Sequence, residues 1–180
     1  MHGLVSLLDT QHYRLIEDLW RELEKECGLT GVKVTPYPHF SWQIGTSYPE
    51  PQTKQAVRAI ATQTRPFTVR TDGLGIFSGP TPVVYIPIIR NPKMNQLHTK
   101  LWRQFQPSAK GLTPYYGPQK WMPHITLIFG DSSVGSLMCG LELLAFRSFD
   151  WEIEINNISF VSQSGDKVGT LRYRHDFPRG

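Results

Sequence analysis

The sequence is most constrained by a short pattern that occurs twice. Pro38-His39-Phe40-Ser41-Trp42-Gln43-Ile44 and Pro123-His124-Ile125-Thr126-Leu127-Ile128-Phe129 both read proline, histidine, apolar, hydroxyl, apolar, any residue, apolar. Alternation of this kind is the signature of a strand, on which successive side chains point to opposite faces. His39 therefore shares a face with Ser41, and His124 with Thr126. Phe40 and Trp42, like Ile125 and Leu127, turn to the opposite face and are expected in a core. By the same period, Gln43 is expected on the face of His39 and Ser41, where contact with substrate and a structural hydrogen bond are equally good accounts of it. One His-x-Ser/Thr match is an ordinary coincidence in a chain with six histidines. Two matches, each behind a proline and inside an apolar strand, imply an internal duplication.

The surroundings predict an α+β chain. Leu4–Leu8 reads as a strand, and Asp9 or Thr10 caps a helix that runs to about Cys27 and stops at Gly28. Val32–Tyr37 and Phe40–Thr46 read as strands, and Pro51–Thr64 as a second helix. Pro66–Phe77 is strand-like with a break at Asp72-Gly73, and Val83–Ile89 is a β-branched strand. A third helix opens at Asn91-Pro92 and reaches about Phe105. A loop rich in Pro, Gly and Tyr follows from Pro107 to Trp121. His124–Phe129 is a strand and Val134–Ala145 a helix. Phe149–Ser162 and Lys167–Phe177 read as two long strands joined by a turn at Ser164-Gly165-Asp166. Residues 1–180 are expected to form one bilobal domain.

Composition excludes several classes. Hydrophobic residues make up 39% and charged residues 19%, which supports a core and argues against a disordered chain. No apolar run approaches the roughly 20 residues needed to span a bilayer, and the first residues lack the basic start of a signal peptide. Cys27 and Cys139 have no CxxC or Cys/His spacing for zinc, and are expected as free thiols in a reducing cytosol. The formal net charge is +4 and the pI about 9.1. That suits a small anionic substrate or an RNA end, while no dense Lys/Arg stripe is evident in the sequence.

Paired imidazoles and hydroxyls suit one chemistry. A phosphodiester needs donors around its non-bridging oxygens, a base for the attacking oxygen and an acid for the leaving one. Histidine, with an ordinary pKa near 6.5, fills either role near neutral pH. Two such groups on opposite sides of phosphorus fit an in-line displacement without a metal. His39 and His124 are therefore the candidate catalytic residues, and Ser41 and Thr126 the candidate phosphate ligands. Tyr115, Tyr116, Lys120 and Trp121 lead into the second motif. Their rings suit stacking on a base, and Lys120 suits a phosphate. Core packing is an equally good account of Trp121. His2, His12, His98 and His175 have no paired context and are expected on the surface or on helix faces. Arg172 and Arg174 are expected on a solvated strand face.

With these motifs in hand, the chain resembles the two-histidine (2H) phosphoesterase superfamily, which includes 2′-5′ RNA ligase-like proteins and 2′,3′-cyclic phosphodiesterases. Pro66–Val69, Gly73–Phe77, Val83–Pro87 and Leu97–Leu101 are similar to the segments between the family's motifs. Ser41 stands where threonine is more usual, and it keeps the hydroxyl. The resemblance implies a pseudo-symmetric fold of two antiparallel sheets around a central cleft, with helices outside. It implies cofactor-free hydrolysis of a 2′,3′-cyclic or 2′-linked phosphodiester of a nucleotide or RNA end, leaving a 2′-phosphate. Ligation through a 2′-5′ bond at the same site, or a catalytically idle binding module, are the alternative readings. A nucleotide or RNA-end substrate, no membrane, no stable protein partner, a monomer and a cytoplasmic location complete the expectation.

Overall fold

The computed structural model describes residues 1–130, 133–163, 165 and 167–179. The chain runs β1 (His2–Leu7), α1 (Thr10–Cys27), β2 (His39–Gly45), α2 (Glu50–Thr62), β3 (Phe67–Thr71), β4 (Gly75–Phe77), β5 (Val83–Ile89), α3 (Pro92–Phe105), β6 (His124–Ile128), α4 (Val134–Ala145), β7 (Glu152–Ile155), β8 (Asn157–Ser162) and β9 (Thr170–Asp176). The strands form two antiparallel sheets. One has the order β2-β1-β8-β9. In the other, β4-β5-β3-β7, the strand β6 joins through β5. The two strands that carry the paired motifs, β2 and β6, lie alongside one another across the sheets.

Local chemistry explains the helix limits. The Asp9 carboxylate accepts from the His12 backbone N–H and so caps α1, and Gly28 closes it at φ 69°. Asn91 caps α3 by accepting from the Met94 N–H, and Pro92 occupies the first turn. The apolar faces of all four helices join one buried cluster with both sheets, from Leu4 and Ile16 through Phe40 and Trp42 to Ile125 and Phe160. Asn157 is fully buried where the β1–β8 ladder ends. Its side chain bonds the N–H and C=O of Leu7, as a backbone partner would.

Three sequence expectations need correction. Val32–Tyr37, expected as a strand, forms none; Gly31–Val34 is a 3-10 turn, because the N–H groups of Lys33 and Thr35 bond to carbonyls three residues back. The expected strand Phe149–Ser162 is two strands in different sheets. β7 pairs β3 and β8 pairs β1, with Asn156 at the break. Cys27 and Cys139 are not free thiols. They form a disulfide between the end of α1 and α4, with Cα atoms 5.7 Å apart. Packing of α1 on α4 brings together cysteines that are 112 residues apart, a proximity that spacing in the sequence cannot reveal. The free-thiol argument for a reducing compartment falls with it. Ser164 and Asp166 of the expected turn lie outside the described residues, and β8 and β9 do pair as antiparallel strands. Among the described residues, no helix is long and apolar enough to cross a membrane.

Candidate active site

The duplication extends to the ladder register. In the first sheet Leu7 pairs His39, Val5 pairs Ser41 and Leu4 pairs Gln43, so Trp42 is an extra residue. In the second, Pro87 pairs His124, Tyr85 pairs Thr126 and Val84 pairs Ile128, so Leu127 is the extra residue. Each motif strand thus bulges three residues after its histidine. A bulge reverses which face the following residues occupy. Trp42 and Gln43 are both fully buried, as are Leu127 and Ile128, while the histidines and hydroxyl residues stay half-buried on the other face. This corrects the placement of Gln43. It lies in the core, where the Tyr48 hydroxyl donates to its side-chain oxygen at 3.1 Å.

Each histidine is oriented in the same way. Nδ1 of His39 donates to the Tyr37 carbonyl at 2.5 Å, and Nδ1 of His124 donates to the Met122 carbonyl at 2.7 Å. A donating Nδ1 leaves Nε2 as the acceptor nitrogen of the neutral ring, the form a general base requires. Both acceptors lie two residues upstream, beside the prolines that open the strands. Burial lowers the pKa of both imidazoles below the ordinary 6.5, and the carbonyl bonds oppose the shift. His39 is lowered further by the charge of His124, which places the two rings within electrostatic reach.

Indoles cross between the two halves. Trp121 Nε1 donates to the Ser41 carbonyl at 2.9 Å, and Trp20 Nε1 donates to the Thr126 carbonyl at 3.1 Å. Trp121 is 1% exposed and stacks on His98 with ring centroids 3.8 Å apart. His98 donates from Nε2 to the Tyr116 carbonyl at 3.0 Å and is also buried, so it is no surface histidine. Its pKa falls to about 4, chiefly through burial, opposed by the Tyr116 carbonyl. No local pattern signals this role. A histidine on the face of α3 reads as solvent-facing until Trp121 is placed over it.

A cavity of about 630 Å³ opens beside the second motif. His124, Thr126, Tyr115, Tyr116, Lys120 and Trp121 all line it, with Phe77 and Met122 among the apolar walls. Phe77 and Tyr85 brace the His124 ring at 5.0 Å each and stack on one another at 4.1 Å. This needs Gly75, where a Cβ would come within 2.4 Å of the Tyr85 ring. Tyr115 is 73% exposed at the rim. Burial raises the Tyr116 hydroxyl pKa, and the nearby Ser41 side chain opposes the rise, so Tyr116 lies between this cavity and the first motif. His39 and Ser41 are not part of the cavity lining. Arg172 and Arg174 bond to Glu50 and Asp176. Among the described residues, no group of three or more His, Cys, Asp or Glu side chains is gathered to hold a metal ion.

The arrangement offers two imidazole acceptor nitrogens, two hydroxyls and an aromatic recess with one lysine. Known structures share the fold that creates it. Protein TT0787 of Thermus thermophilus aligns over 98% of both chains with 17% identity and a TM-score of 0.67. Escherichia coli LigT, crystallised with 3′-AMP, aligns over 99% of this chain and 100% of its own with 16% identity and a TM-score of 0.59. A structure described as a phosphoesterase aligns over 99% of this chain and 98% of its own at 15% identity, with a TM-score of 0.60. Comparison with curated proteins gives no match. The sequence model of the 2′-5′ RNA ligase superfamily matches residues 10–167, and the chain belongs to that superfamily.

Proposed function

We propose that the chain hydrolyses a 2′,3′-cyclic or 2′-linked phosphodiester of a nucleotide or RNA end, with His39 and His124 as general acid and base, leaving a 2′-phosphate. The observation that carries this reading is the matched pair of Nδ1 bonds. Each fixes an imidazole with Nε2 free beside a hydroxyl two residues along the strand. Ser41 and Thr126 then donate to the non-bridging oxygens, which gather negative charge as the attacking oxygen enters. One imidazole takes a proton from water and the other gives one to the departing ribose oxygen. Tyr115, Tyr116 and Trp121 supply apolar walls for a base, and Lys120 faces a phosphate. That a member of this fold was crystallised with 3′-AMP, and also with NADP+, supports a nucleotide as ligand here. The reaction takes groups from both sheets, so residues 1–180 act as one bilobal unit. No step of the proposal calls for a metal or cofactor.

A single assay tests it. The protein is incubated in EDTA with each 2′,3′-cyclic mononucleotide, and 2′- and 3′-phosphates are separated. The proposal expects the 2′-phosphate alone. Formation of the 3′-phosphate, or turnover that stops in EDTA, would overturn it. Microscopic reversibility lets the same groups join a 2′-oxygen to a cyclic phosphate, and the superfamily's description favours testing that direction with two RNA fragments.

A further inference from the structure

The charges of the chain are unevenly distributed. Residues 51–130 hold ten Lys/Arg and one acid, Asp72, whereas the rest of the chain holds nine Lys/Arg and 14 acids. The fold concentrates part of this excess on the outer side of α3. Lys93, Lys100 and Arg103 are exposed there. At 3.6 residues per turn they fall on one side of the helix, spread over about 15 Å of its length. Helical spacing hides such a stripe in the linear sequence. Two adjoining grooves run along it and share Gln96 and Lys100, and the second adds Arg65. Among the described residues, none of these four cations has a carboxylate within ion-pair distance.

We propose that this face is a binding track for the phosphate backbone of single-stranded RNA whose 3′ end enters the cleft, so that the preferred substrate is an oligonucleotide rather than a mononucleotide. The proposal rests on the reading of the cleft given above. A connected polar path joins the two places. Lys120 lines both the aromatic cavity and a groove over Pro118. Arg90 donates to the Pro118 carbonyl and, from Nε, to the Asn95 side chain at 2.7 Å. Asn95 lines the start of the α3 groove.

The chemistry of the face favours RNA over a membrane. A helix that lies on lipid presents large apolar side chains between its cations. Among the described residues, none of the exposed large hydrophobic side chains belongs to α3. Between the cations stand Asn95, Gln96, Thr99 and Gln104, which hydrogen-bond to phosphate and sugar oxygens and carry no base preference.

The test uses the full chain carrying His39→Ala and His124→Ala, which removes turnover from the measurement. A 12-nucleotide RNA with a 2′,3′-cyclic phosphate end and a 5′ fluorophore is titrated by anisotropy across a salt series. Adding Lys93→Gln, Lys100→Gln and Arg103→Gln is expected to weaken binding by roughly 10–100-fold near 0.1 M salt, and to flatten the plot of log K against log salt by about 2. The same three substitutions, with both histidines present, leave hydrolysis of cyclic mononucleotides unchanged. Equal affinity and an equal salt slope with and without the three cations would overturn the track. So would RNA binding by the His39→Ala/His124→Ala chain, with its three cations intact, that is no tighter than that of a mononucleotide. Absence of mononucleotide and RNA turnover would instead count against the hydrolase reading, and the titration would still decide the track.

Discussion

The indole of Trp121 donates to the backbone carbonyl of Ser41 at 2.9 Å, tying the loop that delivers one candidate histidine to the strand that carries the other. Trp20 does the same for Thr126. Removing one partner of a buried hydrogen bond leaves the other unsatisfied, at about 1–3 kcal/mol. Trp121→Phe keeps a ring beside His98 but deletes the donor and the second ring of an indole that also stacks on Trp42 and meets the Arg90 guanidinium. It is expected to lower stability by at least that amount in denaturant unfolding, because a cavity adds to the lost bond, and to reduce kcat more than it raises KM. An unchanged midpoint with unchanged kcat would mean that the bridge holds nothing in place.

The direction of the histidine shifts sets a pH profile. Both imidazoles titrate below the ordinary 6.5, so both are largely neutral at pH 7 in the free protein. Hydrolysis needs one protonated and one neutral ring. The profile of kcat/KM is therefore a bell whose two limbs belong to the pair and whose optimum lies on the acid side of neutrality. A bound phosphodiester anion favours the imidazolium and moves the kcat profile to higher pH. Initial rates across pH 4–9 in EDTA check both statements. A kcat/KM optimum above pH 8 would contradict them.

His98 makes a separate prediction about stability. Its folded-state pKa of about 4 lies below the ordinary 6.5. The unfolded chain therefore takes up a proton that the native state refuses. Stability from this group is complete above pH 6.5 and declines as pH falls toward 4, by about 3 kcal/mol at most. Denaturant unfolding at several pH values should show that slope, and His98→Phe should flatten it.

The Cys27–Cys139 disulfide closes a loop of more than a hundred residues. Cross-links of that span restrict the unfolded chain and stabilise by typically about 2–4 kcal/mol. Reduction, or Cys139→Ser, is expected to lower the unfolding midpoint by a corresponding amount while the chain stays folded at neutral pH. A midpoint indifferent to reductant would contradict a formed bridge.

What the sequence reveals and what it conceals follow from physical range. The two motifs are legible because period-two alternation is local, and it places His39 with Ser41 and His124 with Thr126. It misplaces Gln43, since a bulge at Trp42 depends on the partner strand β1. It joins β7 to β8, because both carry strand-forming residues with no Gly or Pro between them, and only their pairing with β3 and β1 separates them. The stack of His98 on Trp121 and the disulfide are contacts between distant segments, and no window of sequence contains them. The loop residues Tyr115, Tyr116, Lys120 and Trp121 are identifiable by position alone. The fold brings them around one cavity, and it shows Trp121 acting as a buried strut as well as a wall.

The central claim is that His39 and His124 work as one acid–base pair. The most direct measurement is kcat/KM on a 2′,3′-cyclic nucleotide for His39→Ala, His124→Ala and the double variant, each confirmed as folded. The account predicts a loss of roughly 10²–10⁴-fold for either single variant. It predicts a double variant little worse than the singles, because residues that act as a unit are not additive. Near-normal turnover by either single variant would contradict it.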